Sequence, residues 1–115
     1  MLKLDTFTRA YVEAALWSST DDDGVPLDNT YSPEDIALQT LEQMILDCEA
    51  FQKHLTPEED ETQAGHDFWL TRNGHGAGFW DGDWSEARGK ELTDLCRPFG
   101  SFDLYVGDDG KVHGL

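Results

Sequence analysis

An α+β domain, with helices covering one face of an antiparallel sheet, is the fold class that this sequence predicts. Three observations predict it. Apolar residues recur every three or four positions in three stretches, near 6–18, 33–54 and 85–96. Two β-rich stretches each carry a turn signal, Asn73-Gly74 and Asp108-Asp109-Gly110. With 115 residues, no internal repeat and no linker, one domain spanning 1–115 is expected, acidic and helical to about residue 64 and β-rich over 65–115. The expected order is helix, helix, hairpin, helix, hairpin.

Each element has a local reason. Asp5 and Thr6 offer N-cap oxygens for a first helix through about Ser18, with Phe7, Tyr11, Ala14, Ala15 and Trp17 or Ser18 near helical spacing. Ser19–Asn29 is turn chemistry, three acids followed by Gly24, Pro26 and Asn29. Ser32-Pro33-Glu34-Asp35 starts a second helix, because Ser caps, Pro suits the first position and acids face the positive end of the dipole. Ala37, Leu41, Met44, Ile45, Cys48, Phe51 and Leu55 recur every three or four residues and carry it to about His54. Thr56–Gln63 reads as an acidic connector.

From Gly65 the composition favours strands. A two-residue Asn73-Gly74 turn predicts a hairpin over 66–81, setting Phe68 opposite Phe79, Trp69 over Gly78 and His66 opposite Asp81. Asp83 or Ser85 caps a third helix carrying Leu92, Leu95 and Cys96, stopped by Pro98 and Gly100. A last hairpin pairs Phe102–Val106 with Lys111–His113. Its three-residue loop puts Gly110 in the left-handed region and Val106 opposite Val112.

Charge narrows the partners. The chain has 24 Asp and Glu against 8 Lys and Arg, a net of −16, and residues 10–71 alone carry a net of −14. Sequence-independent binding to nucleic acid requires cations that displace counterions, so direct DNA or RNA binding is not expected. Anionic membranes would repel the chain too, and no apolar run is long enough to span one. Four Trp, three Tyr and six Phe oppose a disordered acidic tail. Met1–Leu16 lacks the basic-then-apolar pattern of a secretion signal, which favours a cytoplasmic setting. Cys48 and Cys96 lie far apart on apolar stripes with no CxxC spacing, so buried reduced thiols are expected.

Catalytic-type residues concentrate in one place. His66, Asp67, His75 and Asp81 could hold a divalent metal that activates water. The hairpin register puts His75 at the turn, roughly 13 Å along the strand from His66, so a structural His66–Asp81 hydrogen bond is the stronger reading. Gly74-His75-Gly76-Ala77-Gly78 lacks the helix N-terminus and lysine of a phosphate loop. Aligning Gly24 with the calcium-loop glycine puts Thr30 where a bidentate Glu belongs, so that pattern fails. No serine sits in a nucleophile elbow. No cofactor and no metal are expected.

The run GHDFWLTRNGHGAGFWD at Gly65–Asp81 resembles a signature of small proteins encoded by bacteriophages, prophages and plasmids. TFTRAYVEAALWSSTDDDGVPLD, YSPEDIALQTLEQMILDCEAF and FGSFDLYVGDDGKVHGL extend the likeness over most of the chain. The resemblance implies a phage-type accessory protein made in a bacterial host cytoplasm, and it brings no catalytic residue with it.

The charge layout then suggests a role. Asp35, Glu42 and Glu49, seven residues apart, would form one stripe on the second helix, joined by Asp21, Asp22, Asp23, Glu58, Glu59, Asp60 and Glu61 on the flanking loops. Such a face imitates a phosphate line and would occupy the basic groove of a host nuclease or defence effector. The alternatives are a small metal-dependent hydrolase using His66, Asp67, His75 and Asp81, or a structural accessory that forms homo-oligomers through Trp80 and Trp84.

Overall fold

The computed structural model describes residues 3–74, 78–80 and 84–115. Helix α1 (Thr6–Ser18) starts where its cap is expected, with Asp5 Oδ1 accepting the Thr8 N–H at 2.8 Å. Its inner face buries Phe7, Tyr11, Ala14 and Ala15. The loop that follows bends at Asp21, whose Oδ1 accepts from the Asp23 and Val25 amides.

The second helix differs from its expected form. Pro33–Asp35 is a short 3-10 turn, closed by Asp35 Oδ2 accepting the Ser32 N–H at 2.8 Å. Ile36 and Ala37 then leave the helical region, and α2 runs only from Leu38 to Gln52. The break has a tertiary cause. Ile36 makes a parallel bridge with Val112, and the Ala37 N–H donates to the Val112 carbonyl at 2.8 Å. Beyond the break, Leu41, Met44, Cys48 and Phe51 are buried, as their spacing predicts.

The hairpin expected over 66–81 is replaced at its first strand by helix α3 (Glu61–Arg72). Asp60 caps it, accepting from the Thr62 and Gln63 amides at 2.9 and 3.1 Å. Phe68, Trp69 and Leu70 all turn inward, so the strand register of 66–73 does not exist. Gly65 shows why α3 fits: a Cβ there would collide with the Phe7 carbonyl and sit 3.2 Å from Ala10 Cβ. The missing side chain lets α3 lie directly against α1. Asn73-Gly74 ends α3, with Gly74 at φ +65°. The helix also crosses the division expected near residue 64. The expected pairings of His75, Gly76, Ala77 and Asp81 lie outside the described residues, as does Asp83 as a cap.

Helix α4 (Glu86–Cys96) uses the second cap foreseen, Ser85, whose Oγ accepts the Arg88 N–H at 3.2 Å. A 3-10 turn at Arg97–Phe99 and Gly100 at φ +67° end it. Strands β1 (Leu104–Val106) and β2 (Val112–Gly114) pair antiparallel with Val106 opposite Val112. Gly107 and Lys111 close the three-residue loop, and Gly110 has φ +77°. That hairpin is the one the sequence predicts.

The α+β class holds, with four helices and one two-stranded sheet among the described residues. Helix α2 docks on the sheet, its Thr40 Oγ1 accepting the Gly114 N–H at 3.1 Å. One core serves the described chain. At its centre Phe51 stacks on Phe68, ring centroids 4.2 Å apart, and each such buried ring contributes about 1.5–3 kcal/mol by leaving water.

Candidate functional site

His66 and Asp67 are neighbours on α3 and point to different places. Asp67 is 1% exposed and accepts hydrogen bonds from Gln63 Nε2 at 3.0 Å and Trp84 Nε1 at 2.8 Å. Its carboxylate ties α3 to the segment that leads into α4. His66 is part-exposed, its Nδ1 lying 3.6 Å from Asp67 Oδ1 and without a hydrogen-bond partner among the described residues. Their expected companions, His75 and Asp81, lie outside the described residues. Among the described residues no group of three or more His, Cys, Asp and Glu is arranged to hold a metal ion.

The two thiols are free and buried, as expected. Burial pushes Cys48 well above the ordinary thiol range and Cys96 up to about 12, so neither is poised as a nucleophile. Trp84 packs edge-on against Phe79, bonds Asp67 and is part-exposed, and Trp80 is half exposed.

The ten acids expected on one face divide into two groups. Four serve local structure. Asp21 and Asp35 close turns, Asp60 caps α3, and Glu59 accepts from Arg88 at 2.8 and 2.9 Å. The Arg88 hydrogen bonds hold the Glu59 carboxyl below its usual range. The other six, Asp22, Asp23, Glu42, Glu49, Glu58 and Glu61, are exposed, and their carboxylates have no partner among the described residues. Glu42 and Glu49 share a side of α2, two turns or roughly 10 Å apart. Asp35 does not continue their stripe, because the extended Ile36-Ala37 step separates it from α2.

Two grooves of opposite character meet at Pro33. The larger, about 840 Å³, lies between α1, the 28–33 segment and α3. Trp17, Tyr31 and His66 supply aromatic walls, and Glu13 and Asp28 supply carboxylates. The Trp17 and His66 rings lie 6.0 Å apart at 38°, and Trp17 is 57% exposed. The smaller groove, about 520 Å³, gathers Lys3, Arg9 and Lys111 around Leu4, Ile36 and Leu38.

Arg72, which strand pairing would have left near a turn, is instead buried. Its guanidinium reaches Asp47 Oδ2 and the Tyr11 hydroxyl, both at 2.9 Å, and the Phe99 and Gly100 carbonyls, both at 2.8 Å. Phe68, Phe99 and Phe102 surround it within 6 Å. The sequence carries no signal for this, since Phe68 and Arg72, four residues apart, share a face in a helix and in a strand alike.

No protein-family model, curated protein or solved structure matches the chain.

Proposed function

We propose that this chain is a non-enzymatic accessory protein of the bacteriophage type, acting in a bacterial host. Its acidic surface occupies the basic, nucleic-acid-binding groove of a host nuclease or defence protein. The observation that carries the reading is the set of six exposed carboxylates without partners, at Asp22, Asp23, Glu42, Glu49, Glu58 and Glu61. Local structure consumes the other four of the ten, so these six of that set are left to meet a partner. Three of the eight cations, Arg72, Arg88 and Arg97, are held in ion pairs with acids other than these six, so they neutralise none of them. Long-range attraction of this kind speeds association and is screened by salt.

The test is displacement. Immobilised protein is charged with bacterial lysate at low salt and then challenged with duplex DNA or with high salt. Release of a nucleic-acid-handling protein by either challenge supports the reading. Replacing the six acids together by Asn and Gln should abolish that capture while the fold persists. Capture that survives both challenges and the six-fold change would sink the proposal.

A further inference from the structure

We infer that the groove between α1 and α3 is the seat of an arginine side chain, presented by the basic partner proposed above and resting on that reading. Carboxylates and aromatic rings line the same groove, with Glu13 and Asp28 beside Trp17, Tyr31 and His66. Neither Glu13 nor Asp28 makes an ion pair or a side-chain hydrogen bond with another described residue, and among the described residues no Lys or Arg lines the groove. Their charge is therefore uncompensated beside an exposed indole. A planar cation satisfies both features at once, since its face stacks on Trp17 while its N–H edge donates to carboxylate. Guanidinium does this better than ammonium, being planar, delocalised and weakly hydrated.

Competing guests fit less well. A phosphate-bearing ligand would meet Glu13 and Asp28, like charge against like. A purely apolar guest would strip water from two carboxylates and return no hydrogen bond. At about 840 Å³ the groove has room for the arginine stem and the flanking peptide backbone.

The experiment is an NMR titration of the full chain with N-acetyl-argininamide, with N-acetyl-lysinamide as the comparison, at constant ionic strength. Saturable shifts of the Trp17 indole N–H and the Tyr31 and His66 rings are expected, with argininamide binding more tightly than lysinamide. Trp17→Ala should weaken argininamide about tenfold, the equivalent of one partly desolvated cation–π contact. Glu13→Gln with Asp28→Asn should weaken it similarly, and Trp17→Phe should retain most of the binding. Trp17 is exposed, so its replacement leaves the core intact, and unchanged backbone spectra would verify this. Shifts scattered over the surface carboxylates, or equal affinity for the two amides, would overturn the inference.

A tetra-arginine peptide separates the two claims. If the groove variants still bind it and the six-acid variant does not, the acidic-surface reading stands and the arginine seat falls. If the six-acid variant keeps groove binding of argininamide but no longer captures the host protein's competitor-sensitive fraction, both claims stand. If it captures as before, only the seat survives.

Discussion

Arg72 and Arg88 clamp opposite ends of the same region by different means. Arg72, 2% exposed, joins the C-terminal end of α3 to α1 through Tyr11, to α2 through Asp47, and to the turn after α4 through two carbonyls. Arg88, 22% exposed, reaches from α4 to Glu59 and to the His54 carbonyl, fastening the loop that leads into α3. The chemistry is alike and the surroundings are not. Once a guanidinium is buried, every lost partner leaves a charge without water, whereas a surface clamp exchanges protein for solvent. Burial, rather than the number of bonds, should therefore rank the arginines.

Five measurements sharpen or break that ranking. The largest effect is expected for Asp47→Ala, which strands the buried Arg72 cation and should lower stability by about 3–5 kcal/mol in urea unfolding. Arg72→Met removes the cation but keeps an apolar stem, so it should be less harmful than Asp47→Ala; the reverse order would refute the stranded-charge argument. Arg88→Ala is expected to lose about 1 kcal/mol, a loss that shrinks as salt is raised. A loss as large as that of Asp47→Ala would show that burial does not set the scale. The same pair predicts an acid-side signature. Because the Glu59 pKa is lowered in the folded chain, its stabilisation is present above the unfolded value of roughly 4.3 and is lost as pH falls through the folded one. Arg88→Ala should flatten that part of the stability–pH curve, and an unchanged slope would refute the assignment. The smallest effect belongs to Arg97, whose pair with Asp94 is 77% and 49% exposed. Arg97→Ala should shift stability by no more than about 0.5 kcal/mol.

The position of α3 explains why the central region resembles a hairpin in sequence. Asn73-Gly74 signals a positive φ, and Gly74 has one at +65°. A hairpin turn and a helix C-terminus both use such a glycine, so the signal was sound and the motif was not. Helical periodicity over 61–72 was also masked, because Gly65 and Asp67 occupy buried positions that apolar side chains normally fill. Gly65 is buried to let α1 approach, and Asp67 because Gln63 and Trp84 satisfy its carboxylate. Of the candidate site, the acids were legible as charge, but which ones remain free was not. That division depends on turns, a cap and Arg88. The aromatic groove was not legible at all, since Trp17, Tyr31 and His66 belong to separate segments.

What the sequence by itself determined are features satisfied within a few residues. The Asp5 cap of α1, the Ser85 cap of α4, the stop at Gly100 and the loop with Gly110 each depend on one side chain or one φ angle. The apolar stripe of α2 and the burial of both cysteines follow from periodicity in the same way. Only the tertiary structure decided the break at Ile36, the helical state of 61–72 and the burial of Arg72. Ile36 answers to Val112, Gly65 to Phe7, and Arg72 to Tyr11, each across more than fifty residues of chain. Local preference is worth only tenths of a kcal/mol to about 1 per residue, and such long-range packing outweighs it.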